Sequence, residues 1–256
     1  MLAPYTDRPD TSGSLLVNAS TLTALTRSWS AAGFQVNIHA IGDLANRLAL
    51  DAFEAALAAL CPHLAPPACQ ATARFRIEHA QIMHPDDQAR LHALGILPSV
   101  QPTHATSDMA YAARRLGPAR TRDEAYRLRS FAASSRGRPP LVLGSDFPVE
   151  PPDPFQGVFA AVARRSPRTG KGAAGDDHPW LPEEALSLAQ ALEGFTRGPA
   201  YGAFLDGVAG EIRPGAFADW VVLDRPTGAY DLDDFRDLKV RETWVAGRRV
   251  YARDEP

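Results

Sequence analysis

Three features of the sequence predict an α/β chain built on parallel strands and followed by a small β appendage. First, four short apolar segments each end in a residue that can bind a metal or polarise a substrate. VNIH ends at His39, FRIEH at His79, LPSVQPTH at Gln101 and His104, and LVLGSD at Asp146. Second, the stretches between them have helical spacing, and strand–helix alternation argues for a parallel sheet with right-handed crossovers. Third, from Glu211 onward the pattern changes to strands alone. In a (β/α) barrel every strand's C-terminal end opens on one face, which would gather these residues in one site. The chain has four such strands where a closed barrel has eight.

The elements follow in order. Residues 1–18 read as a loop broken by Pro4, Pro9 and Gly13. Asn18 or Ser20 caps a helix that runs to about Ala32 and stops at Gly33. The first strand is 34–39. Asp43 then caps the strongest helix, with Leu44, Leu48, Phe53, Leu57 and Leu60 close to helical spacing. CPHLAPPAC reads as a Pro-rich loop before the second strand, 74–79. Pro85 with Asp86 and Asp87 marks a helix start, where a missing N–H costs nothing and carboxylates suit the dipole. Gly95 ends that helix and 96–101 is the third strand. Helical material from Ser107 to about Ser134 precedes the fourth strand, 141–145, and a helix from Phe155 to Arg165 follows it. RSPRTGKGAAGDDHPW reads as a flexible Gly-rich loop, a candidate lid. Two short helices fill Pro182 to Phe204. EIRPGAFADWVVLD and VRETWVAGRRVY are strands, the latter a hairpin turning at Ala246-Gly247, with Trp220 and Trp244 packing the appendage. The expected division is 1–205 and 206–256.

Composition excludes several classes. At 256 residues, 45% hydrophobic and 22% charged, the chain can build a sizeable core. A net charge of -3 leaves no electrostatic footprint for nucleic acid. No apolar run approaches a membrane span, and MLAPYTDRPD has neither a basic n-region nor an apolar h-region, so a soluble, cytoplasmic protein is expected. Cys61 and Cys69 lack the spacing of a zinc or redox motif, and free thiols in a surface loop are favoured over a local disulfide.

Each candidate ligand alone has an ordinary explanation, since a histidine ending a strand is commonly a hydrogen-bonded core residue. Two histidines and an aspartate at successive βα junctions are a sensible set for a divalent metal of the zinc type. Gly144 and Ser145 allow close backbone approach before Asp146, and Pro148 fixes the turn after it. His63, His84, His92 and His178 fit surface or helix-face roles, and Lys171 a solvated loop. HExxH, HxH and GxGxxG are all absent, the last of these excluding a doubly wound nucleotide-binding fold.

HAIGDLAN, RIEHAQIMHPDD, PSVQPTHATSDM, LGSDFPVEPPDPFQGV and GEIRPGAFADWVVLD resemble the metal-dependent amidohydrolase superfamily. The likeness runs from about residue 2 to 250, in the amidohydrolase-3 branch that includes N-substituted formamide deformylases. The resemblance implies that His39 and His79 end barrel strands five and six as metal ligands. It makes Asp146 the strand-eight ligand and proton shuttle, sets Gln101, His104 and Asp108 around the substrate, and matches Arg129 to a recurrent substrate-side arginine. It implies the C-terminal half of a (β/α)8 TIM barrel, strands 5–8, plus part of a composite β-sandwich. The HxH pair and the ligand of strand four are missing, so Met1 falls in mid-protein. The implied function is metal-dependent hydrolysis of a small amide or formamide C–N bond outside peptides, by one or two zinc-type ions. As this chain alone, the site is incomplete, metal binding is weak or absent, and the chain is expected to be inactive. The other reading is a non-catalytic fragment or interaction module. The open strand edges imply self-association or pairing with a complementary N-terminal half.

Overall fold

The computed structural model describes residues 1–133 and 141–253. The chain opens with a loop and then α1 (Ala19–Ala31), whose N-cap Asn18 accepts the Thr21 amide at 2.9 Å. Next come β1 (Asn37–Ala40) and α2 (Asp43–Leu60). Gly42 takes the cap position of α2, one residue earlier than the sequence suggests. The carboxylate of Asp43 is instead buried, accepting the amides of Leu44 at 2.8 Å and Leu2 at 2.7 Å. It thereby ties the N-terminal loop to the start of the helix.

The Pro-rich stretch is more ordered than its composition implies. Pro66–Ala73 forms a helix, α3, with proline in its first turn, where the missing donor is one the helix would leave unpaired anyway. That turn brings Cys69, 1% exposed, back beside the end of α2, and Cys61 and Cys69 form a disulfide. The free-thiol expectation is therefore corrected: the intervening helix closes the gap that a loose loop would leave open.

After α3 come β2 (Arg76–His79), α4 (Pro85–Leu94) and β3 (Leu97–Val100). Four short helices succeed them: α5 (Pro102–Asp108), α6 (Ala112–Leu116), α7 (Pro118–Glu124) and α8 (Leu128–Ala133). Then come β4 (Val142–Leu143) and α9 (Pro154–Ala163). The predicted Ser134 helix end lies outside the described residues. All four strands are shorter than their apolar runs, because pairing stops where the chain turns toward the next helix. They form one parallel sheet in the order β1-β2-β3-β4, with Ile38 opposite Ile77, Ile77 opposite Pro98 and Val100 opposite Leu143. Phe53 of α2 stacks on Phe75 at 5.0 Å, and Leu50, Leu57, Ile77, Leu91 and Phe159 complete the centre of the core.

The Gly-rich segment is more ordered than the flexible loop its composition predicts. It is folded into turns: Ser166 donates to Lys171 O at 2.8 Å, Gly172 to Asp176 O at 2.7 Å, and Trp180 to Arg164 O at 2.9 Å. Arg236 clamps it further by donating to Pro167 O at 2.8 Å. Helices α10 (Leu188–Gly194) and α11 (Arg197–Gly202) follow. A separate antiparallel sheet, β5 (Trp220–Val222), β6 (Glu242–Val245) and β7 (Arg248–Ala252), ends the chain. Its hairpin turns at Ala246 and Gly247, both at positive φ as a two-residue turn requires, and Trp220 stacks on Trp244 at 5.5 Å. Among the described residues no helix is long and apolar enough to cross a membrane.

Candidate metal centre

A parallel sheet delivers all its C-terminal ends to one edge. His39 is the penultimate residue of β1 and His79 the last of β2, Gln101 follows β3, and Asp146 follows β4 by three residues. Strand alternation alone would set His39 and His79 on opposite faces, because His79 is registered with Ala40 rather than with His39. The backbone resolves this. His79 has φ 77°, and the rotation about N–Cα swings its side chain so that the two imidazoles meet edge to face at 4.4 Å. Ala80 at φ 45° and Asp146 at φ 58° are also left-handed. Such positions cost free energy for residues with a Cβ and cluster where geometry serves a site.

Three side chains converge. One donor atom each from His79, His104 and Asp146 lies within 4.8 Å of the others. His104 Nε2 is 3.8 Å from Asp146 Oδ2, and the rings of His79 and His104 stack at 5.9 Å. Gln101 Oε1 sits 3.0 Å from His79 Nδ1. A carbonyl oxygen can only accept, so this contact assigns the proton to Nδ1 and leaves the Nε2 lone pair available for a cation. His104 Nε2 is buried with no hydrogen-bond partner, an orphan acceptor that a positive ion would satisfy. Burial, with His79 adding to it, holds the His104 pKa below the ordinary histidine value, and burial and then His79 do the same at His39. Both imidazoles therefore favour the neutral, ligating form. The donor set of imidazoles and a carboxylate suits a divalent ion of the zinc type.

The other expected residues fall as follows. His39 is exposed and lies against His79, outside the three converging donors, and His104, expected on the substrate side, is one of those three. The helix α5 explains this, since it starts immediately after β3 and turns His104 back over the strand ends. Gln101 backs His79. Asp108 lies one turn beyond His104 on α5 and accepts the hydroxyls of Tyr111 and Tyr126. Arg129 is exposed on α8, with no hydrogen bond or ion pair to the triad among the described residues. His84 caps α4 by accepting the Asp86 amide, His92 packs on Phe131, and His63 and His178 are exposed.

Three residues were not singled out from sequence. Asn46 is fully buried and its Nδ2 reaches the carbonyls of Ile41, Gly42 and Ile82, joining the segments that leave β1 and β2. Tyr126 sits at φ 49° on a segment that runs antiparallel beside 81–83, and Gln81 donates to its hydroxyl. Asn46 and Gln81 both lie inside HAIGDLAN and RIEHAQ, so their motifs were visible though their roles were not.

The amidohydrolase family model matches residues 1–251. Protein LONG AFTER FAR-RED 3 of Arabidopsis thaliana is 36% identical over 249 residues, 96% of this chain and 39% of that protein. N-substituted formamide deformylase of Arthrobacter pascens is 28% identical over 221 residues, covering 86% of this chain and 37% of the enzyme. Among solved structures, an uncharacterized metal-dependent hydrolase of Pyrococcus horikoshii superposes with a TM-score of 0.71 at 31% identity, covering 90% of this chain and 42% of that one. The chain thus spans about two fifths of the length of these relatives.

Proposed function

This chain belongs to the amidohydrolase family, and we propose that it is part of a metal-dependent hydrolase of amide or formamide C–N bonds outside peptides. The observation that carries the reading is the convergence of His79, His104 and Asp146, with His104 Nε2 buried and unpartnered. These three residues, with His39 alongside, would hold a zinc-type ion. A bound divalent ion supplies Lewis acidity, polarising a carbonyl oxygen and acidifying water. Asp146, exposed at the mouth of the site, accepts a proton from the attacking water and passes it to the leaving nitrogen. Gln101 keeps His79 in the required tautomer, and the buried side of the site excludes bulk water around His104. The Arthrobacter relative's name motivates N-formyl amines as first substrates.

We also propose that the four-stranded sheet is half of a (β/α)8 barrel, and that the three-stranded sheet is part of a second, composite domain. β1 and β4 each have one unpaired edge in the described structure. A complementary polypeptide, or a second copy, would pair there. A non-catalytic binding role is the second reading.

Elemental analysis after dialysis tests the metal site, comparing the chain with its His79→Ala and His104→Ala variants. Retained zinc that falls in both variants supports the assignment; equal zinc in all three removes it. Hydrolysis of N-formyl amines by this chain, alone and extended to its relatives' full length, separates the two readings. Sedimentation over a dilution series tests assembly: a monomer at every concentration refutes the open-edge argument.

A further inference from the structure

One wall of a cavity of about 930 Å³ holds His39, Gln81, Asp108, Tyr111 and Tyr126. The rest of the lining includes the apolar side chains of Leu16, Leu25, Trp29 and Ile41, all of them exposed. Within this lining Asp108 has an unusual set of partners. Tyr111 donates to one carboxylate oxygen and Tyr126 to the other, and Gln81 donates in turn to the Tyr126 hydroxyl. No cation pairs with Asp108 among the described residues. Among the groups lining the cavity, the Arg115 guanidinium is held by Asp7 at 3.2 Å and the Met1 ammonium donates to Ser12 O. A carboxylate offers about four lone-pair positions, so two phenols leave roughly half of its accepting capacity free. Two phenols do not neutralise its charge either.

The surroundings add to that negative charge. Glu150 lies close enough to Asp108's own helix to accept the Ser107 hydroxyl at 2.5 Å, and both carboxylates act electrostatically on His104. Both phenols keep their protons. Burial and then Asp108 push Tyr111 up to about 12, and burial and then Asp108 raise Tyr126 further. Asp108 is also placed for a purpose. It is four residues after His104 on α5, so the two share a helix face about one 5.4 Å turn apart.

We propose that Asp108, braced by Tyr111 and Tyr126, is a subsite for a positively charged group on an apolar ligand, an ammonium on an aromatic or alkyl body. The carboxylate takes the cation, and the apolar lining of Leu25, Trp29 and Ile41 takes the body. On the hydrolase reading, on which the identity of the ligand as a substrate rests, this cation lies about one helical turn from the reacting bond. The substrate is then an amide carrying a second, cationic nitrogen. Asp108 fixes its orientation without touching the scissile bond.

The test needs no turnover. Calorimetric titration of the chain with phenethylammonium and with its neutral counterpart phenethyl alcohol reads the subsite directly. The ammonium should bind about tenfold or more tightly than the alcohol, as expected for hydrogen bonds to a charged partner. Asp108→Asn should abolish that preference while leaving alcohol binding unchanged, with circular dichroism confirming the fold. Independently of any variant, added salt should shrink the wild-type preference, since the contact is ionic and partly exposed. Equal binding of the two probes, binding of neither, or a preference that survives Asp108→Asn each overturn the proposal. A preference without amide hydrolysis by the chain extended to its relatives' full length would leave the subsite standing and remove the hydrolase reading, whereas hydrolysis without a preference would do the reverse.

Discussion

Replacing Asn46 with alanine should loosen the candidate site from a distance, and the structure sets the size of the effect. Asn46 is buried, and its Nδ2 lies 3.2 Å from Ile41 O, 3.0 Å from Gly42 O and 3.0 Å from Ile82 O. Two of these carbonyls have other partners: Ile41 O accepts the Ile82 amide, and Gly42 O accepts the amide of Asn46 itself. An amide group carries only two protons, so about two hydrogen bonds are lost, each worth about 0.5–1.5 kcal/mol. The Ile82 carbonyl is left with a further desolvation cost, offset in part by removal of Asn46 Oδ1, itself buried without a partner, for a total of about 2–3 kcal/mol. For a domain of this size that lowers Tm by about 4–12 °C. The functional consequence is larger than a surface change would produce. Ile41 and Ile82 follow His39 and His79 closely, so their release frees both imidazoles, and metal affinity should fall by about 10–100-fold, as for loss of an outer hydrogen-bond support. Urea denaturation and competitive zinc titration of the same preparations measure both quantities. Asn46→Ala within about 0.5 kcal/mol of the parent, with unchanged zinc affinity, would refute the stapling role.

The remaining expectations concern the disulfide, pH and the proposed chemistry. Cys61 and Cys69 are separated by eight residues, so opening the bond with reductant, or Cys69→Ser, should cost about 2.5 kcal/mol in the chain-entropy picture; urea midpoints unchanged by reductant would show that the bond does not form. His39 and His104 have pKa values below the ordinary 6.5 when folded, so the unfolded chain binds more protons. Stability of the metal-free chain should therefore be complete above 6.5 and decline as pH falls below it, and His104→Gln should flatten that decline in Tm-versus-pH curves. In a catalytically competent protein Asp146→Asn should collapse kcat, because the amide keeps the shape but neither accepts nor passes a proton. Steady-state rates that match the parent would take Asp146 out of the mechanism.

Much was legible in the linear chain because its signals are local. Alternating strand and helix patterns identified the parallel sheet, Asn18 marked its helix start, and Ala246-Gly247 marked the hairpin, each through the backbone preferences of a few neighbouring residues. The motifs also named the side chains that end the strands. What they left undecided is how those side chains meet. The left-handed backbone at His79 reverses the face that alternation predicts, and the immediate start of α5 after β3 carries His104 over to Asp146. The same holds for Cys69, returned to Cys61 by a helix in a stretch that composition marks as a loop. In each case the deciding quantity is a direction in space, set by packing of elements distant in sequence against one core. Residue type determined what each group could do, and tertiary contacts determined which groups could do it together.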